Sequence, residues 1–277
     1  MDRKEAFLSL KNRGVLYGDG LFETLRVEGG VPLFLHDHLE RMREGIRILR
    51  FARAPEKREL KETIAEAIVA SGVEEGYLRL TLTRGQGPFG KSLAELQEYT
   101  LWAEAKEMSL DPSRYEEGVA AITASLPKNP RSPLCRVKSL NYLESILARQ
   151  EAVDQGAEEA VFLTVDGDLC EGASANLFLV KEGILITPSL NRGPLPGTVR
   201  RWVMELVPRL GLPVEERRVD PAEWHTAEEA FFTNSTWGPF PCVRADQRPI
   251  GDGNPGPVTR RLHREWKRAV RAQVERA

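Results

Sequence analysis

The sequence predicts an α+β protein in two parts, and three observations carry that reading. Segments with helix period and segments with strand period alternate along the chain. A proline-rich stretch, "SLPKNPRSPL" at 125–134, interrupts all periodicity, and 277 residues are enough for two compact domains. The expected division is a smaller N-terminal α/β domain over 1–124, a linker over 125–134 and a larger C-terminal domain over 135–277.

The elements follow in chain order. "LFETLRV" (21–27) reads as a strand and runs into the tight turn "EGG". "HDHLERMREGIRILRF" (36–51) places Leu39, Met42, Ile46 and Leu49 on one helical face, and Asp37 with Glu40 suggests a capping box at its start. "KRELKETIAEAIVASG" (57–72) repeats the pattern with Leu60, Ile64 and Ile68, stopped by Gly72. "GYLRLTLTRG" (76–85) alternates as a half-buried strand does.

Beyond the proline-rich stretch, "VKSLNYLES" (137–145) is expected to open an amphipathic helix. Leu140, Leu143, Ile146 and Leu147 would face a core there, with Lys138 at the lip. Strands "AVFLTV", "SANLFLV" and "ILITP" follow, separated by the turns "DGD" and "KEG". "GPLPGTVRRWVMELVPRLG" (193–211) is a loop feeding a helix with Trp202, Val203, Leu206 and Leu210 on its apolar face. Pro208 should kink its last turn.

Composition removes several classes. Net charge is −2, with 41% hydrophobic and 29% charged residues, so no global field favours nucleic acid or an anionic membrane. The opening "MDRKEAFLSLKNRG" is too charged for a signal peptide and no apolar run reaches membrane length, which suggests a cytoplasmic protein. Cys135, Cys170 and Cys242 are odd in number and far apart, so no disulfide framework is expected. His36 and His38, two apart, would point to different sides of a helix, and no metal site is expected from them.

A few residues could carry chemistry. Lys138 is either a solvated lysine or a partly desolvated amine able to form a Schiff base. Glu171 in "LCEGASANLF" is either a turn carboxylate or an acidic partner for a heterocyclic nitrogen. In "LPGTVR", Gly197, Thr198 and Val199 open a helix whose first N–H groups could hold a phosphate. Asn234 and Ser235, after the strand in "FFTNSTWG", could bind the same oxyanion or simply form the turn. Arg41 could neutralise its charge or pair with Glu40 or Glu44. An amine for an aldehyde, a carboxylate for a pyridine nitrogen and a cup for a phosphate are together what pyridoxal 5′-phosphate requires.

In this the chain resembles the fold-type IV pyridoxal-phosphate enzymes, the class IV aminotransferase superfamily. The resemblance runs through eight ordered segments: "YGDGLFETLR", "LHDHLERM", "LRLTLTRG", "VKSLNYLESILARQEA", "EGASANLFLV", "LPGTVRRWV", "FFTNSTWGPFPCVR" and "GPVTRRL". It implies a two-domain α+β fold with the cofactor in the cleft between domains, in a homodimer whose partner loop helps close the site. It also implies roles: Lys138 carries the cofactor, Glu171 faces its ring nitrogen, and Tyr142 lies near its phenolic oxygen. Arg41, the backbone of Thr198 and Val199 at Gly197, Asn234 and Ser235 would hold the phosphate.

Within the superfamily the aminodeoxychorismate lyases are most similar, through "GDGLFETLRV", "RLTLTRG" and "TNS". That likeness implies elimination of pyruvate from 4-amino-4-deoxychorismate to give 4-aminobenzoate, a folate precursor, with Thr24 in proton transfer. The alternative is an aminotransferase for D-amino or branched-chain acids with 2-oxoglutarate. Branched-chain enzymes usually have glycine at the position of Thr24 and "TGTA" where this chain has "TNST", and "RGQGPFGKS" lacks the arginine and histidine usual in D-amino-acid enzymes. Phe89 stands where many of the lyases carry an arginine, which leaves the substrate carboxylate to Arg84, Lys91 or a partner-subunit residue.

Overall fold

A computed structural model describes residues 7–277, which fall into two compact units. One comprises the described residues as far as Glu107 with Val137–Asn141, and the other Met108–Arg136 with Tyr142–Ala277. The division therefore lies at 107/108 rather than at the proline-rich stretch, which belongs to the second unit. Residues 119–123 form a strand of the second unit's sheet, and so bind the chain before the stretch to the chain after it.

The first unit holds helix α1 (Arg13–Tyr17), strands β1 (Gly20–Glu28) and β2 (Val31–Pro32), helices α2 (Leu35–Ile48) and α3 (Lys57–Ser71), and strands β3 (Gly76–Thr83) and β4 (Thr100–Glu107). Its sheet runs β2-β1-β3-β4, antiparallel throughout. Gly29 and Gly30, both at positive φ, make the turn from β1 to β2, a conformation that suits glycine. Leu25 and Val27 of β1, Leu78, Leu80 and Leu82 of β3, Leu39 and Met42 of α2, and Leu60 and Ile64 of α3 form one core. Gly72 closes α3 in the left-handed region, as its sequence suggests. No side chain caps α2: the helix starts two residues earlier than Asp37, after Phe34, so the expected capping box is absent. β3 alternates only in its first half, because Thr81 and Thr83 are buried along with Leu80 and Leu82.

Val137–Asn141 joins this unit through β1. The Phe22 N–H donates to the Lys138 carbonyl at 2.9 Å and the Leu140 N–H to the Gly20 carbonyl at 3.0 Å, around an antiparallel bridge between Leu21 and Ser139. Lys138 is thus on an extended segment, not on a helix lip as the spacing suggests.

The second unit adds α4 (Ser113–Glu117), β5 (Val119–Thr123), α5 (Leu143–Asp154), β6 (Glu159–Leu163), β7 (Leu169–Gly172), β8 (Asn176–Lys181) and β9 (Ile184–Pro188). It continues with α6 (Thr198–Leu206), β10 (Val214–Arg217), α7 (Pro221–Thr226), β11 (Glu229–Asn234), β12 (Gly238–Ala245), β13 (Arg248–Pro249) and α8 (Pro257–Val274). Among the described residues its sheet has nine strands in the order β10-β9-β8-β11-β12-β5-β6-β7, with β13 on β12. Three apolar clusters pack it, the largest around Trp224, Phe232 and Leu177. Pro208 ends α6 as an α-helix, and Val207–Leu210 continue as a 3-10 turn.

Helix α5 departs from expectation. Its buried positions are Ala148 and Ala152, whose small side chains fit against Ala160 and Phe162. Leu143, Ile146 and Leu147 are 66%, 58% and 52% exposed, so its large apolar side chains face away from the core.

Candidate active site

In the first unit the chemistry gathers along β1. Successive side chains alternate between faces of a strand, so Phe22 and Thr24 share one face while Glu23 and Leu25 share the other. Lys138 Nζ lies 4.4 Å from the centre of the Phe22 ring, and the Arg79 guanidinium lies 3.7 Å from it. Arg79 is the register partner of Thr24 across β1 and β3, so Phe22, Thr24, Arg79 and the Lys138 amine belong to one face of the sheet.

Glu23 on the opposite face is buried, 1% exposed, and faces α2. Arg41 forks onto it, Nε to Oε1 at 2.8 Å and Nη2 to Oε2 at 2.6 Å. His38 approaches Oε2 at 2.6 Å; an ionised carboxylate only accepts, so the imidazole donates its Nδ1–H. Burial alone would raise the Glu23 carboxyl, but the charge and hydrogen bonds of Arg41 and the bond from His38 more than offset it and hold it at about 2. Burial pushes His38 down, against the pull of Glu23 and helped by the charges of Arg41 and Lys138, so the ring is neutral at pH 7. Arg41, expected to neutralise a phosphate, is thus already countered by a carboxylate of its own unit.

Arg84, one expected anchor for a substrate carboxylate, is spent on structure. It pairs with Asp19 at 3.0 Å, donates to the carbonyls of Leu49 and Arg50, and stacks on Phe51. Phe89 is 81% exposed beside Tyr17, and Lys91 is exposed.

In the second unit Glu171 is buried in β7 rather than set in a turn. Its Oε2 accepts from Asn176 Nδ2 at 3.0 Å and from the Leu195 N–H at 2.9 Å, and its Oε1 meets the ammonium of Lys128. Asn176 also donates to the Leu195 carbonyl at 2.8 Å, so it ties β8 to the loop before α6. Gly197 follows in that loop, and a Cβ there would come within 2.0 Å of Asn176 Oδ1. Close approach, not a positive φ, is what requires glycine at 197.

No side chain caps the start of α6, and its first turn carries no acidic residue. Thr198 Oγ1 lies 3.2 Å from Ser235 Oγ, so two hydroxyls meet at that helix start, next to the first turn where Val199 is buried. The macrodipole and these donors make the place fit for an anion. Asn234 is the last residue of β11, and its side chain holds the turn that follows: its Oδ1 accepts from the Trp237 N–H at 2.8 Å and from Thr236 at 3.0 Å. The Tyr142 hydroxyl donates to the Ala173 carbonyl at 3.3 Å.

Sequence reasoning missed Glu23, His38, Arg79, Lys128 and Asn176. Glu23 could have been found as an acid at a core-facing position of an apolar strand; the other four stand in positions where a polar residue is ordinary.

Residues 20–245 match the family described as Amino-transferase class IV. A putative branched-chain-amino-acid aminotransferase of Methanocaldococcus jannaschii is 33% identical over 268 residues, which cover 96% of this chain and 92% of that protein. Among solved structures, 4-amino-4-deoxychorismate lyase from Pseudomonas aeruginosa superposes with TM-score 0.84 at 32% identity, over 95% of both chains. The branched-chain aminotransferase of the thermophilic archaeon Thermoproteus uzoniensis, solved with norvaline, gives 0.86 at 28%, over 97% of this chain and 91% of that one. With its α+β fold in two units, this chain belongs to the class IV aminotransferase family, whose enzymes use pyridoxal 5′-phosphate.

Proposed function

We propose that the chain is a pyridoxal-phosphate-dependent aminodeoxychorismate lyase, which eliminates pyruvate from 4-amino-4-deoxychorismate and releases 4-aminobenzoate. The residues present fit the cofactor by their donor chemistry. Lys138 offers an amine and Glu171 a buried carboxylate held by two neutral donors. Gly197, Thr198 and Val199 with Ser235 offer an uncapped helix start with paired hydroxyls for a phosphate. Asn234 shapes the turn that carries Ser235, Arg41 adds its charge under the hold of Glu23, and Tyr142 supplies a phenol.

When bound, the cofactor draws off the electron pair left as a proton departs from the carbon beside the substrate nitrogen. Lys138 takes that proton, and Thr24 returns one to the departing enolpyruvyl group so that it leaves as pyruvate. Aromatisation of the remaining ring drives the reaction, so few further groups are needed.

The observation that carries the lyase reading is Thr24: its hydroxyl-bearing side chain shares the β1 face of Phe22, whose ring lies 4.4 Å from the Lys138 amine. A transaminase that shuttles its proton with lysine alone has no use for a hydroxyl there. Arg79, the cation on that same face, is proposed as the anchor for a substrate carboxylate in place of Arg84. The exposed Leu143, Ile146 and Leu147 support a homodimer in which a second copy covers α5, and a monomer mass in solution would remove it.

The test is a product assay. Purified protein given enzymatically made aminodeoxychorismate should release 4-aminobenzoate and pyruvate in equal amounts, and Thr24→Val should slow this by about tenfold or more. Conversion of the cofactor to its amine form by D-alanine or leucine, with no 4-aminobenzoate made, would replace the lyase by an aminotransferase.

A further inference from the structure

Lys128 has no part in the chemistry above, yet its ammonium rests on Glu171 Oε1. Its backbone is fixed: the N–H donates to the Leu163 carbonyl at 2.8 Å and its carbonyl accepts from the Val165 N–H at 3.0 Å. The Phe162 ring centre is 5.7 Å from Nζ, and Cys135 and Cys170 also lie in reach of its charge. Burial pulls the amine down, but the charge of Glu171 and its hydrogen bond more than offset this, so Lys128 stays protonated at any ordinary pH.

The two oxygens of Glu171 are served differently. Asn176 and the Leu195 N–H hold Oε2, so the carboxylate keeps its orientation without Lys128. What Lys128 adds at Oε1 is charge. A buried carboxylate with no cation is costly, and Lys128 removes that cost before any ligand arrives.

We propose that Lys128 is a resident counter-ion of Glu171, satisfying the carboxylate in the cofactor-free protein and so weakening the grip of Glu171 on a protonated ring nitrogen. This rests on the reading that the cofactor's ring nitrogen meets Glu171. A ring N–H brings a second positive charge to a carboxylate already neutralised, and the two cations repel. Without Lys128 the ring would meet Glu171 with only the charge of the buried Arg200 also in reach. An orienting residue would have the opposite effect, and a purely structural pin would affect every ligand alike.

The experiment measures dissociation constants of the cofactor-free protein for pyridoxal 5′-phosphate and for its 1-deaza analogue, whose ring has C–H in place of nitrogen. Their ratio isolates the nitrogen's share. In Lys128→Met the ratio should rise in favour of the natural ring by about fivefold, because the ring N–H then meets the carboxylate without a cation already bonded to Oε1. The protonated form of the bound ring should also persist to higher pH in its absorption spectrum. Lys128→Arg, which keeps the charge, should leave the ratio within about twofold of native. An unchanged or smaller ratio in Lys128→Met overturns the proposal; should that protein not fold, the neutral Lys128→Gln is read in the same way. If both the native protein and Lys128→Met bind the two ligands equally, the placement of the ring nitrogen at Glu171 fails, and this proposal with it.

Discussion

Glu23 in the first unit and Glu171 in the second are buried carboxylates set against a cation, and the two arrangements differ in what they leave adjustable. Glu23 is bound on both oxygens by the Arg41 fork, with His38 added on one of them. Glu171 is clamped on one oxygen by neutral donors and meets a single ammonium on the other. A planar guanidinium on two oxygens fixes geometry, whereas a lysine on a flexible stem holds charge without direction. Glu23 accordingly reads as framework, positioning Arg41 and α2 against β1. Glu171, held firmly on one oxygen only, is the carboxylate proposed to engage a ligand.

The largest contrast should come from neutralising each acid in turn. Glu171→Gln should lower turnover by about a hundredfold or more, since it removes the charge that holds a proton on the ring. Its effect on the melting midpoint should be the smaller of the two, because Lys128 is 19% exposed and can turn to water. Turnover within a few-fold of native would contradict the assignment of Glu171.

Glu23→Gln should show the reverse emphasis, a stability loss on the order of 3 kcal/mol from the fall of its carboxyl from 4.5 to about 2. The sign follows from that depression. The contribution is present above the unfolded value near 4.5 and is lost as pH falls toward about 2, so the native protein should lose stability across that window. The variant, already lacking the contribution, should show a flatter profile there. Parallel acid unfolding of the two proteins would mean that Glu23 is not the group responsible.

How far the sequence reveals all this depends on the range of the interactions. β1, α2, α3 and α6 were legible because apolar period, a glycine stop and Pro208 are local properties. The expectations for Lys138, Glu171 and the start of α6 came from chemistry read residue by residue, and they enter the proposed function on that basis. Lys128 is hidden inside a stretch that reads as a linker, 43 residues from the acid it meets, and only the fold joins them. Arg41 illustrates the same limit: as a cation on the first helix it suggests a phosphate partner, but its fork onto Glu23, 18 residues away, is visible only in the fold. For α5, periodicity located an apolar face but could not say what covers it. The alanines pack inward, where the neighbouring strand comes close, and the leucines remain outside.

Gly197→Ala sharpens the comparison from the side of the clamp. The added methyl would stand 2.0 Å from Asn176 Oδ1, and Asn176 is the donor that fixes Glu171. The expected cost is about 1–3 kcal/mol in stability, together with weaker cofactor retention as the clamp shifts. Loss of stability with native cofactor affinity would show that Glu171 does not depend on Asn176 for its orientation.

The smallest effect is expected where the geometry of the Glu23 fork recurs at the surface. Arg47 donates to Glu44 through Nε at 2.8 Å and Nη2 at 2.5 Å, on two separate oxygens, just as Arg41 does to Glu23. The side chains are 73% and 51% exposed instead of 9% and 1%. Water screens both charges, and holding two long side chains together offsets most of the gain. Glu44→Gln should therefore leave the melting midpoint unchanged within error at physiological salt, and raising the salt should not separate it from native. If instead it destabilises as much as Glu23→Gln, the fork geometry itself carries the stabilisation. Burial would then no longer explain why Glu23 acts as framework.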